Sequence, residues 1–99
     1  MAENENTNEI EYVEGVTSKG FKYKFPKERL DNWELVGIIG EIENDKIWRL
    51  DDAFKILLGE DEYDALKENA KDENGVLKAS VLSKEFYDIF TNNDELKKS

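Results

Sequence analysis

Asp31-Asn32-Trp33-Glu34-Leu35-Val36-Gly37-Ile38-Ile39-Gly40-Glu41-Ile42 is the stretch whose reading decides the fold class. Asp31 and Glu34 have the spacing of a capping box, in which two side chains satisfy orphan N–H groups at a helix start. Leu35, Ile38, Ile39 and Ile42 then recur at i, i+3, i+4 and i+7, so one helical face is branched aliphatic along its length. Trp33 and Val36 widen that face and leave little of the helix polar beyond Glu34, Glu41 and Glu43. A helix this apolar must be covered by other elements or by a partner, and the remaining chain reads as organised around it. Gly37 and Gly40 each cost about 1 kcal/mol relative to Ala inside a helix. Either they let another backbone approach closely, or they flank a bend or an early helix end.

Downstream, Asn44 and Asp45 form an acidic turn, and a second amphipathic segment runs from Ile47 to Leu58. Leu50, Ala53, Phe54, Leu57 and Leu58 line one side of it, while Arg49, Asp51, Asp52 and Lys55 face water. Gly59 ends it, as a glycine just past the last apolar residue should. A third, more polar helix from Asp61 to about Lys71 turns Tyr63, Leu66 and Ala70 inward. After the turn Asp72-Glu73-Asn74-Gly75 and the link Val76-Leu77, a last helix from Ala79 to Thr91 carries Leu82, Phe86, Ile89 and Phe90 as its stripe, with Asn92 and Asn93 closing it.

Upstream the period changes. Phe21-Lys22-Tyr23-Lys24-Phe25 alternates aromatic and basic, the mark of a strand with one buried and one wet face, and Pro26 stops it. Ile10, Tyr12 and Val16 offer a matching apolar face on the preceding segment, and Thr17-Ser18-Lys19-Gly20 supplies the turn. The predicted fold is therefore mainly α: a small bundle of about four helices preceded by a β-hairpin over about residues 10–25. Residues 10–93 form one domain, 1–9 a disordered acidic arm and 94–99 a flexible tail.

The chain has 99 residues, with 24 Asp plus Glu against 14 Lys plus Arg, a formal net charge of -10. Such a surface repels phosphate backbones and anionic lipid, which argues against nucleic-acid and membrane partners. Cys and His are both absent, so there is no disulfide framework, no thiolate or imidazole metal ligand and no histidine base. Ser80 and Ser83 therefore lack an activating partner. Neither a leader-like segment nor an apolar run near the ~20 residues of a bilayer span appears, and a cytoplasmic location is expected.

The loop around Asp72, Asn74 and Gly75 imitates part of a calcium loop, but that register puts Ala70 and Val81 where the first and last oxygen ligands belong. Asp51 with Asp52, or Glu60 with Asp61 and Glu62, are acids of the kind expected on solvated faces of so acidic a chain. No catalytic residue, metal or cofactor is expected, and the chain reads as a binding protein rather than an enzyme. Binding energy would come from aromatic and aliphatic anchors, and the candidate partner-binding residues are Trp33, Val36, Trp48, Phe54, Phe86 and Phe90. In a domain this small, most of these belong inside, with one or two left on an exposed apolar face.

The order of pieces carries a resemblance. Leu30-Asp31-Asn32-Trp33-Glu34-Leu35, then Leu57-Leu58-Gly59-Glu60 followed by Tyr63 and Leu66, then Asp72-Glu73-Asn74-Gly75 ahead of a final helix ending Ile89-Phe90, resembles the tail assembly chaperones of long-tailed bacteriophages and prophages of Gram-positive hosts. The likeness spans roughly Phe21 to Phe90. It implies a small helical protein of the host cytoplasm that coats the tape measure protein until tail tube subunits polymerise around it and displace it. The tail tube protein and further copies of the chain are then additional partners. Such families often make a longer frameshifted product, and Lys97-Lys98 is a dipeptide that a slippery run of adenines encodes. Two lysines in a polar tail are also common without that meaning. An alternative of a different class is an acidic phage-encoded inhibitor or DNA mimic that occupies a basic host protein with a stripe of carboxylates and weakens as salt rises.

Overall fold

Strands β1 (Tyr12–Val16) and β2 (Lys22–Pro26) pair antiparallel, and four helices follow among the described residues: α1 (Trp33–Glu43), α2 (Leu50–Leu58), α3 (Glu60–Ala70) and α4 (Ala79–Thr91). Short 3-10 turns at Lys27–Leu30 and Ile47–Arg49 lead into α1 and α2. The computed structural model describes residues 10–91. The acidic arm 1–9, the helix closure at Asn92 and Asn93, and the tail 94–99 with Lys97-Lys98 lie outside the described residues. The architecture is the predicted one, a mainly α bundle preceded by a hairpin.

The helix at the centre is α2, not α1. Leu50, Ala53, Phe54, Leu57 and Leu58 of α2 are all buried, and α2 packs against α1, α3, α4, β2 and both 3-10 turns. On α1 only Leu35 and Ile38 are buried, with Ile39 and Ile42 partly so. A helix at the edge of a bundle buries one stripe; its remaining apolar residues face outward. The N-terminus of α1 also differs from expectation. Asn32, not Asp31, is the cap: its Oδ1 accepts the Leu35 N–H at 3.1 Å, while the Asp31 amide closes the preceding 3-10 turn onto Glu28 O at 3.0 Å.

The predicted Ile47–Leu58 segment divides at Arg49, and α3 runs Glu60–Ala70. Gly59 alone separates α2 from α3. Its φ of +84° ends one helix and starts the next within one residue, a conformation side chains rarely adopt. The Arg29 guanidinium donates to Leu57 O at 2.8 Å and so satisfies a carbonyl that the end of α2 leaves open.

Within the hairpin, β1 has the opposite phase to the predicted one. Val13 pairs with Phe25 and Gly15 with Tyr23 on the buried face, while Tyr12, Glu14 and Val16 lie outside opposite Pro26, Lys24 and Lys22. Tyr23 decides this phase. Its ring occupies the space over Gly15, where a Cβ would stand 2.6 Å from the hydroxyl, so the inner face of β1 needs glycine at that position. Outside, the Lys24 ammonium sits 4.5 Å from the Tyr12 ring centroid, and Lys27 pairs with Glu11 at 3.3 Å.

Candidate functional site

Because α1 and α4 both pack on the short α2 and hardly touch each other, a channel is left between them. Its volume is about 560 Å³, within the range of roughly 300–1,000 Å³ typical of binding clefts. Ile39, Ile42 and Glu43 of α1 and Ile47 of the following turn form one wall. Phe86, Tyr87 and Phe90 form the other, and Leu50 lies between them. The aromatic wall is held from behind. Phe86 stacks on Phe90 at 5.2 Å and meets the Phe54 ring edge-on at 5.3 Å, and Phe54 stacks on Tyr63 at 4.9 Å.

Few charges reach the channel. Lys84 on α4 pairs with Asp88 at 3.1 Å, so that pair is locally neutral. Glu43 is exposed and has no ion pair among the described residues, and no Lys or Arg occurs anywhere in α1. On the neighbouring turn, Arg49 bridges Glu41 at 2.7 Å and also holds Asp52.

The predicted partner-binding residues separate into three groups. Trp33, Val36 and Trp48 are exposed, at 86, 55 and 69 % of their surface. Phe86 and Phe90 line the channel, the first nearly buried and the second half-buried. Phe54 is a correction: it is completely buried beneath Phe86 and belongs to the core, because α2 turns that face toward every neighbouring element. Gly37 and Gly40 lie within an unbroken α1, and a Cβ at either would meet nothing within 4 Å. The helix therefore does not end at either glycine, and among the described residues nothing approaches them closely. Sequence reasoning missed Ile47 and Tyr87, which line the channel and are 44 and 64 % exposed. The signal for Tyr87 was its place beside Phe86 on the helix, outside the stripe.

Opposite the channel, α4 is fastened to the hairpin turn. The Ser18 amide and hydroxyl both donate to Asp88 Oδ2, at 2.8 and 2.6 Å, and the Lys19 amide donates to Glu85 Oε2 at 3.2 Å. Burial acts to raise the Asp88 carboxyl, but the two Ser18 hydrogen bonds and the Lys84 ammonium outweigh it and hold it below the usual carboxylate range. Asn69 on α3 donates to Lys19 O at 3.0 Å, so the turn ties α3 and α4 together. Glu85 is fully buried, and its Oε1 has no hydrogen-bond partner among the described residues.

Of the acids considered for metal or acid–base work, Asp51, Asp52 and Asp72 have structural partners. Asp51 accepts the Tyr63 hydroxyl and Asp52 the Arg49 guanidinium; burial, then Asp51, pushes the Tyr63 phenol far up. The Asp72 side chain accepts the Val76 and Asn74 amides at 2.9 and 2.8 Å and closes the Gly75 turn, bonds that lower its carboxyl. Among the described residues no three carboxylates converge, and no helix is long and apolar enough to cross a membrane. In comparisons with known proteins, no family model, no curated protein and no solved structure matches this chain.

Proposed function

We propose that this chain is a non-catalytic binding protein that covers an apolar segment of a client, and that the client is the tape measure protein of a long-tailed phage, met in the host cytoplasm. The open channel between α1 and α4, with apolar side chains on both walls and polar ones at its edges, is the observation that carries the binding role. The likeness in the order of motifs supports the choice of client. A tape measure is a long chain whose helical apolar stripes aggregate unless covered, and a protein of net charge -10 keeps the covered complex soluble. The client would later be released to tail tube subunits, which bury the same stripes.

The DNA-mimic alternative has less support. Of the exposed acids along α3, Asp64 pairs with Lys67 at 3.6 Å and Glu68 with Lys71 at 2.6 Å, so the carboxylate stripe is interrupted by cations. The deciding experiment is co-expression with the tape measure protein encoded nearby, followed by soluble pull-down at low and high salt. A soluble complex that survives high salt is the expected result. An insoluble tape measure with none of this chain bound rejects the chaperone reading, and a complex with a basic host protein that dissolves in salt would favour the mimic.

A further inference from the structure

We infer that the channel between α1 and α4 is the seat of one amphipathic α-helix of about three turns whose apolar stripe is flanked by lysine or arginine. This rests on the binding role proposed above and specifies its partner.

Length comes from the α4 wall. Ser80 to Thr91 border the channel, and at 1.5 Å per residue they extend about 17 Å, enough for anchors at i, i+3 or i+4, and i+7 of a facing helix. Helical rather than extended form follows from the walls. Both are side chains of helices and present no strand edge whose N–H and C=O groups a β-segment could pair.

Charge selects the flanks. Glu43 is the channel's unpaired charge among the described residues, since Lys84 is matched by Asp88 and α1 carries no cation of its own. A basic flank on the α1 side gains a partner there, and an acidic flank meets like charge. The same arithmetic disfavours a second copy, because two chains of net charge -10 would bring their acidic α1 rims together. Residues 1–9 and 92–99 of this chain do not suit the channel either. They carry Met1, Ala2 and Leu96 as their only apolar side chains, with no stripe among them.

The test uses the full chain and two synthetic helical peptides of about 14 residues, each with leucines at i, i+3, i+7 and i+10 and either lysine or glutamate on the flanks. Binding is read by anisotropy of the labelled peptide. The lysine peptide should bind at least about tenfold tighter than the glutamate peptide. Ile47→Lys and Tyr87→Lys, at exposed positions that tolerate the change, should each weaken it about tenfold or more. Val76→Lys, exposed but outside the channel, should not. Glu43→Lys should narrow or invert the preference between peptides. Circular dichroism of each variant establishes that the helices remain.

The same variants are then carried into the tape measure co-expression. Loss of the soluble complex with Ile47→Lys and Tyr87→Lys supports the channel as the seat. A tape measure kept soluble equally well by these variants overturns the channel proposal while the chaperone reading stands. Peptide binding that obeys the channel variants, beside a tape measure that stays insoluble, overturns the choice of client and leaves the seat intact. A wild-type dimer in sedimentation that Tyr87→Lys dissociates would show that a second copy occupies the channel, and the proposal would be wrong.

Discussion

Asn32 holds the N-terminus of α1 through one hydrogen bond, from the Leu35 N–H to its Oδ1 at 3.1 Å. Replacing it with Ala leaves that amide without its cap and should cost about 1 kcal/mol in urea unfolding. Asp31→Ala, one residue earlier, should change stability by less than about 0.5 kcal/mol, since the Asp31 side chain makes no hydrogen bond among the described residues. Equal losses from the two would show the cap to be shared. Asp88 allows a test in pH. Its carboxyl is held below the ordinary 3.8 in the folded chain, so it contributes stability above that value and loses it as the pH falls through the lowered one. Asp88→Ala should therefore cost about 2 kcal/mol at pH 7, the size of hydrogen bonds to a charged, mostly covered acceptor. The gap to the unaltered chain should narrow below about pH 4. A gap that does not change with pH would assign the loss to packing instead of the carboxylate.

At the scale of elements, what could be read from the chain depended on whether a single local pattern settled the matter. The stripe of α4, the inner face of α3 and the glycine stops at Gly59 and Gly75 needed only local periodicity and a φ above zero, and they were legible. The phase of β1 was not. Its inner face is Val13 and Gly15, and a glycine that makes room for Tyr23 adds nothing to a count of apolar residues. The central place of α2 was hidden for a related reason. Its alternation of apolar and charged residues looks like an ordinary surface helix, whereas α1 looks buried because its outward face is apolar as well. Part of the candidate site was visible, as Phe86 and Phe90, because both belong to the stripe of α4. Ile47 and Tyr87 reach the channel only because α1 and α4 stand apart, which is tertiary information. The glycines of α1 carry the prediction at this scale. Gly37→Ala and Gly40→Ala put a methyl group into open space on a regular helix. Each should stabilise the chain by about 0.5–1 kcal/mol in thermal or urea unfolding. If a client backbone lies against this face, the double variant will be more stable and bind the client less well. Unchanged client binding would confine the contact to the channel.

For the whole molecule, net charge and apolar surface act at different stages of one encounter. A chain of net charge -10 attracts a basic helix over distances set by the Debye length, about 10 Å at 0.1 M salt. That attraction speeds association, whereas residence depends on the apolar contacts of Ile39, Ile42, Phe86 and Phe90, which salt does not screen. The rate constants should therefore respond unequally. Raising salt from about 0.05 to about 0.5 M, which shortens the Debye length from roughly 14 to roughly 4 Å, should slow association of the lysine-flanked peptide about tenfold or more and change its dissociation by less than about twofold. Stopped-flow mixing followed by tryptophan fluorescence reads both rates, since Trp48 follows directly on Ile47 of the channel wall and is 69 % exposed. The same salt screens repulsion within the free chain, so its melting temperature should rise over the interval while its association slows. This separates a binding effect from loss of fold. Dissociation that accelerates in step with salt would mean that ion pairs hold the complex, and the weight of the binding face would move from the channel's apolar walls to Glu43 at its edge.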